Sequence, residues 1–146
     1  MRILADSGIL LRLFELTDSR HVAAQAAVDM LSDQGHELVT AAQNLAEFWN
    51  VCTRPDTARG GFGLSLAETE LRLQRLEIQF TLLPDLATTY AIWRNLIVAH
   101  AVLGKQVHDA RLAALMLSHG VTHLVTLNGR DFTRYPGLTV IDPATP

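Results

Sequence analysis

Residues 2–8 read Arg-Ile-Leu-Ala-Asp-Ser-Gly, and the architecture follows from this passage. A short apolar run stopped by Asp6-Ser7-Gly8 predicts a buried strand over residues 2–5 and a turn into a helix over residues 9–16. A carboxylate therefore stands where the first strand ends. The same punctuation recurs downstream. Thr17-Asp18-Ser19 offers N-cap chemistry for a helix through Leu31, with Gly35 as its stop. Residues 37–40 predict a second strand, and Leu45, Phe48, Trp49 and Cys52 fall at helical spacing before Arg54-Pro55 ends that helix.

Residues 55–63 are polar and glycine-rich and predict a loop. Ser65-Leu66-Ala67-Glu68 spells a capping box for a helix to Gln79. Residues 80–83 predict a strand closed by Pro84. Asp85 is placed to cap a long helix with Leu86, Tyr90, Trp93, Ile97 and Ala101 on one stripe and Gly104 as its end. His108-Asp109 opens another helix that stops at His119-Gly120, and residues 122–126 and 138–141 complete the strands. Alternating strands and helices predict an α/β fold, a three-layer α/β/α sandwich around a mostly parallel sheet. The chain is expected to be one domain over residues 1–146, with a helical hairpin inserted at about 65–104.

Composition narrows the class. Hydrophobic residues make up 49% and charged residues 18%, which excludes a disordered chain. A single cysteine, Cys52, excludes an internal disulfide framework and fits a reducing compartment. Each apolar run is interrupted before it reaches membrane-spanning length, and Asp6 comes too early for a signal peptide. The expectation is a cytoplasmic protein with no membrane partner. A net charge of −3 argues against a basic nucleic-acid glove but leaves room for a nucleic-acid enzyme that recruits metal cations.

In an open parallel sheet, ligands bind beyond the carboxyl ends of the strands. Asp6 falls at such an end, and Asn128 and Asp131 follow the apolar run before Thr126. Asp109 lies in the first turn of its helix, where the dipole favours a carboxylate. Asn44 and Glu47, three apart, share a helical face. Carboxylates gathered at one edge raise each other's pKa unless a cation enters, and Mg²⁺ suits oxygen ligands that leave room for water. A metal-bound water can attack phosphorus while the metal stabilises the departing oxygen. Every position also has an ordinary structural reading. Asp6 and Asp109 are competent N-caps, Glu47 could pair with Arg54, Asn128-Gly129 is a turn signal, and Asp131 could cap the turn before Phe132.

Four ordered segments carry a family resemblance: Ile3-Leu4-Ala5-Asp6-Ser7, residues 42–51 (AQNLAEFWNV), residues 107–112 (VHDARL) and residues 126–132 (TLNGRDF). Together they resemble the motifs of a PIN domain and, more narrowly, a VapC-type toxin ribonuclease of a toxin–antitoxin pair. The similarity runs from Ile3 to Ile141. It implies a divalent-metal endoribonuclease, using Mg²⁺ or Mn²⁺, with Asp6, Glu47 and Asp109 as acidic core. Asp6 and Asp109 are the firmest implied metal ligands, and Glu47 would bind metal or orient the attacking water. A further family acid corresponds most nearly to Asn128, whose carbonyl can coordinate without charge, and Asp131 is the implied substitute. Gly8 stands where many relatives carry Asn, while Ser7 is retained. Ser7, Asn44 and Thr126 are supporting residues. Arg12, Arg54, Arg59, Lys105, Arg111 and Arg130 are phosphate-binding candidates, with solvated or salt-bridged arginines as the plainer reading. The resemblance also implies an antitoxin that occupies the site, with an arginine inserted into it, and a homodimer.

Two other readings stay open: a receiver-like Mg-binding regulatory domain, which lacks its paired acids and late lysine here, and a catalytically inactive PIN-like interaction protein. A zinc site at His119 and His123 lacks support from cysteine, and Gly60-Gly61-Phe62-Gly63 lacks the phosphate-loop lysine. Cys52, Trp49 and Trp93 fall on apolar stripes and are expected in the core. His108 beside Asp109 has both a proton-shuttle and a structural reading.

Overall fold

The computed structural model describes residues 1–146. In chain order it contains β1 (Arg2–Ala5), α1 (Ser7–Arg12), α2 (His21–Asp33), β2 (Glu37–Ala41), α3 (Ala42–Thr53), α4 (Leu66–Gln79), β3 (Thr81–Leu83), α5 (Thr89–Ala99), α6 (Val107–Ser118), β4 (His123–Val125) and β5 (Thr139–Ile141). Short 3₁₀ turns precede α6 and follow β4, at Gly104–Gln106 and Gly129–Asp131.

All five strands are parallel, in the order β3-β2-β1-β4-β5. Strand alternation explains why both faces are covered. Ile3 and Ala5 of β1 join Leu38 and Val125 in a core shared with α1 to α4, whereas Leu4, Val39 and Leu124 face Ala110, Ala113 and Met116 of α6. A parallel sheet needs apolar residues on both faces for this reason. The chain first builds outward from β1 to β2 and β3, then returns to add β4 and β5 on the other side. That reversal makes the carboxyl end of β1, where Asp6 lies, the switch point at which open parallel sheets bind ligands.

The segment 65–104 is not an inserted hairpin. It contains the edge strand β3, which pairs with β2, while α4 packs on α3 and α5 packs on α6 across the sheet. Two crossover helices on opposite faces looked like one hairpin because the intervening strand has only three residues.

Other boundaries shift for identifiable reasons. Helix α1 starts at Ser7, capped by Asp6, and ends at Arg12 rather than Leu16. Asp18 accepts the backbone N–H of Arg20 at 2.8 Å, so α2 begins only at His21. Asp85 does not cap α5, because its carboxylate is taken by Arg111 at 2.6 Å. The hydroxyl of Thr89 instead accepts the Leu86 N–H at 3.1 Å, and the helix starts at Thr89. The inward stripe becomes Thr89, Trp93, Leu96 and Ile97, leaving Leu86 and Tyr90 exposed. Trp93 and Trp49 are half-buried rather than core residues, while Cys52 is buried as expected.

The capping box forms as read, with Ser65 Oγ accepting the Glu68 N–H at 3.1 Å and Glu68 accepting the Ser65 N–H at 2.9 Å. The glycine-rich stretch folds back on α3, with Gly63 N–H donating to Arg54 at 2.8 Å. At Gly61 a Cβ would come within 2.2 Å of the Pro55 carbonyl oxygen, so only glycine lets the loop close. Ser65→Ala should therefore lower the unfolding free energy by about 1 kcal/mol in urea titrations. Gly61→Ala should cost more, about 1–3 kcal/mol, because backbone must move.

Candidate active site

Asp6 occupies the single residue between β1 and α1 in extended conformation, and its side chain faces back onto the first helical turn. One carboxylate oxygen accepts the Ile9 N–H at 3.1 Å; the other accepts the Thr126 hydroxyl at the end of β4. Thr126 in turn accepts the Asn128 N–H at 3.0 Å. Burial pushes the Asp6 pKa up to about 6, against the Thr126 and Ile9 hydrogen bonds that favour the anion, and the charges of Glu47 and Asp109 push it further. Gly8 leaves room for this carboxylate, since a Cβ there would meet Asp6 Oδ1 at 3.3 Å.

Behind Asp6 the backbone is pinned. Asn44, buried on α3, donates to the Ala5 carbonyl at 3.1 Å and to Thr40 Oγ1 at 3.3 Å, and Thr40 also donates to Ala5 at 3.1 Å. Asn44 therefore fixes the strand end and does not face the acids. Glu47, one turn on, is exposed. Ser7 Oγ donates to Glu47 Oε2 at 2.6 Å, and Gln43 approaches Oε1 at 3.5 Å. No pairing with Arg54 occurs; that guanidinium donates to the Arg59 carbonyl at 3.0 Å.

Asp109, in the first turn of α6, is half-buried, and its pKa is raised by that burial and then by Asp131 and Glu47, with His108 and Arg134 opposing. The fold thus brings Asp6, Glu47, Asp109 and Asp131 to one edge of the sheet from four separate elements. Asn128 lies exposed on the rim, tied through its backbone to Thr126. The negative charge beside Asp109 comes from Asp131. As placed, no three His, Cys, Asp or Glu side chains stand close enough to enclose an ion. His119 and His123 instead contact the Pro84 carbonyl and the Thr122 hydroxyl, which removes the zinc reading.

The cations divide. Arg12 is held by Glu15 at 2.7 Å and Asp18 at 3.1 Å, so it is an internal clamp and not a phosphate ligand. Arg111 is bound by Asp85 and by Gln43 Oε1 at 3.0 Å. Arg59, Lys105 and Arg130 are exposed and make no ion pair. Two residues near the acids escaped the sequence reading. Gln43 links Glu47, Arg111 and the His108 carbonyl, and its only signal was its position one turn before Glu47. Arg134, which faces Asp109, gave none, because its loop is placed by tertiary packing.

A PIN domain family model matches residues 3–138. The chain belongs to the PIN-domain family. None of the curated proteins compared matches the sequence significantly. Solved structures match the PIN fold over nearly the whole chain. VapBC2 from Rickettsia felis, bound to a DNA fragment from its promoter, aligns with TM-score 0.70 and 14% identity over 97% of this chain and 98% of that one. VapBC-1 from nontypeable Haemophilus influenzae gives TM-score 0.70 and 16% identity over 99% and 100%. VapC20 of Mycobacterium tuberculosis, described as a sarcin-ricin loop cleaving toxin, gives TM-score 0.61 and 19% identity over 84% and 86%. PIN membership displaces the receiver-like reading, and no helix is long and apolar enough to cross a membrane.

The raised pKa of Asp6 has a stability consequence. A carboxyl whose folded pKa exceeds its unfolded value stabilises the fold when protonated, and that contribution is lost as pH rises through about 6. Asp6→Asn, which mimics the neutral form, should be more stable than the parent above pH 6, on the order of 2 kcal/mol after allowing for partial solvent access. The gap should shrink as pH falls toward the ordinary Asp value near 3.8. Paired urea titrations from pH 4 to 7.5 in EDTA measure it; a gap independent of pH contradicts the charge burial described above.

Proposed function

We propose that this PIN domain is a divalent-metal-dependent endoribonuclease and the toxin of a toxin–antitoxin pair. The observation that carries the proposal is the convergence of Asp6, Glu47, Asp109 and Asp131 at the carboxyl end of the sheet, where burial and acidic neighbours raise the pKa of both Asp6 and Asp109. Such a set is stabilised by adding positive charge. Its donors are all oxygen, the chemistry that Mg²⁺ or Mn²⁺ accepts, and Mg²⁺ usually keeps several waters, so protein groups alone need not enclose it. Asp6 and Asp109 would hold the metal, with Glu47 and the Asn128 carbonyl contributing directly or through water and Asp131 adding charge. Bound there, such an ion supplies activation of water and stabilisation of the departing oxygen.

The chain's own residues account for positioning. Thr126 and the Ile9 amide fix both oxygens of Asp6. Ser7 fixes Glu47 through Oε2, which leaves Oε1, held loosely by Gln43, as the atom that takes a proton from an attacking water. Lys105 lies just before α6 and Arg130 beside Asp131, so these two cations flank the acids and are assigned to RNA phosphates. Arg59 sits beyond the far end of α3 and contributes less. With so few phosphate contacts, binding should depend only modestly on salt.

Support for the biological role comes from the fold's company: a sarcin-ricin loop cleaving toxin from M. tuberculosis and a toxin–antitoxin complex from Klebsiella pneumoniae are both similar to this chain. An antitoxin covering the acids would complete the pair. Self-association has a smaller support, the 76% exposed Val98 and 77% exposed Leu103 at the end of α5.

Purified protein incubated with total RNA and single-stranded oligonucleotides should cut with Mg²⁺ or Mn²⁺ and not with EDTA. Asp6→Ala and Asp109→Ala should each lower the rate by at least roughly a hundredfold. Ser7→Ala, which only frees Glu47 to rotate, should cost about ten- to hundredfold. Cleavage that survives EDTA or both aspartate substitutions overturns the proposal. Absence of both cleavage and Mg²⁺ binding by calorimetry would favour the inactive interaction protein.

A further inference from the structure

Connected to Glu47 through Arg111 and Gln43 is a cleft of about 310 Å³ lined by Asp85, Leu86, Thr89, Tyr90, Trp93 and Arg111. Its volume is at the small end of ligand sites, which run from roughly 300 to 1,000 Å³. Three features distinguish it from a packing fault. Tyr90 is 68% exposed although it is large and half apolar, and its ring stands 5.8 Å from that of Trp93, tilted by 41°. Arg111 and Asp85, 42% and 53% exposed, add a donor group and an acceptor group to the same lining. The whole wall is also anchored to the acidic edge. The Trp93 indole N–H donates to the Val107 carbonyl at 2.9 Å, two residues before Asp109. Arg111 donates to Gln43, which also donates to the His108 carbonyl at 2.9 Å and reaches Glu47.

We propose that this cleft receives an unpaired nucleobase of the RNA, stacked on Tyr90 and Trp93 with its edge toward Arg111 and Asp85, while the adjoining phosphate lies at the acids. The inference rests on the nuclease reading and specifies how substrate is held. Single-stranded nucleic acid is bound by aromatic faces that stack bases and by guanidinium groups that stack or donate to them. Both are present here, on the flank of the acids. An apolar peptide or a second copy of the chain would find two charged residues in the wall, whereas a base offers hydrogen-bonding edges to both. The Arg111–Asp85 pair is exposed and therefore easily opened.

Tyr90 is largely exposed, so Tyr90→Ala should fold normally, and Tyr90→Phe keeps the ring. In a Trp49→Phe background Trp93 is the only tryptophan, because the chain has two. Titrating a single-stranded RNA oligonucleotide in EDTA should quench Trp93 emission. Tyr90→Ala should weaken that binding roughly five- to 150-fold, with Tyr90→Phe restoring most of it. In Mg²⁺ the same substitution should raise KM by a similar factor and leave kcat within about twofold. Equal oligonucleotide affinity in parent and Tyr90→Ala overturns the cleft and spares the nuclease. Quenching without cleavage supports the cleft and removes the nuclease; neither quenching nor cleavage removes both. If Tyr90→Ala instead splits a dimer in sedimentation without changing RNA affinity, the cleft is a protein contact and the inference fails.

Discussion

The carboxylate of Asp6, held between the hydroxyl of Thr126 and the amide of Ile9, ties together three elements that share no sequence neighbourhood. It ends β1, starts α1 and closes onto the end of β4. Because β1 and β4 are adjacent parallel strands, with Ala5 opposite Val125, this linkage sits at the point where the chain reverses its direction of sheet growth. An acid at this position costs stability through burial and is retained with hydrogen bonds that favour its charged form. Burial and hydrogen bonding opposed in this way are common for carboxylates at functional sites.

The other acids are arranged around that fixed point by a second layer of polar contacts. Asn44 and Thr40 share the Ala5 carbonyl, so the strand end cannot drift, and Ser7 restrains Glu47 from the residue next to Asp6. Gln43 then extends the connection to Arg111 and Asp85. The chain Ser7–Glu47–Gln43–Arg111–Asp85 is continuous in hydrogen bonds, which makes the acidic edge and the aromatic cleft parts of one surface.

What could be read from the sequence was what neighbouring residues decide among themselves. The Ser65–Glu68 capping box needs only a four-residue window, and a strand ending in Asp6 needs only the apolar run before it. The placement of Asp6 and Asp109 was legible for the same reason, since one ends a strand and the other opens a helix, whereas Glu47 lies inside α3 and had only its shared face with Asn44 to mark it. What failed depended on distant partners. Asp85 looked like a helix cap, but Arg111, twenty-six residues away, takes its carboxylate. The stripe of α5 then rotates, and Tyr90 turns outward. The edge strand β3 was visible, yet its pairing with β2 was not, so α4 and α5 read as one hairpin. Arg12 is the instructive exception: Glu15 and Asp18 lie within six residues, so its engagement was written locally and passed over in favour of its nearness to Asp6.

A net charge of −3 is unfavourable for meeting a polyanion such as the proposed RNA substrate, and few cations near the candidate site are free to offset it. Arg12 and Arg111 are each paired with acids, which leaves Lys105 and Arg130 as the exposed, unpaired positive groups nearest the acids in sequence. Long-range attraction is then weak, so recognition must come from contacts made after encounter. On the reading proposed above, stacking on Tyr90 and Trp93 would be insensitive to salt, and a divalent ion held by the acids would reverse the sign of the field only within the site itself. A protein built this way would bind RNA poorly in general and well only where an unpaired base and its phosphate arrive together. For the proposed nuclease, that would favour exposed loops of folded RNA over duplex.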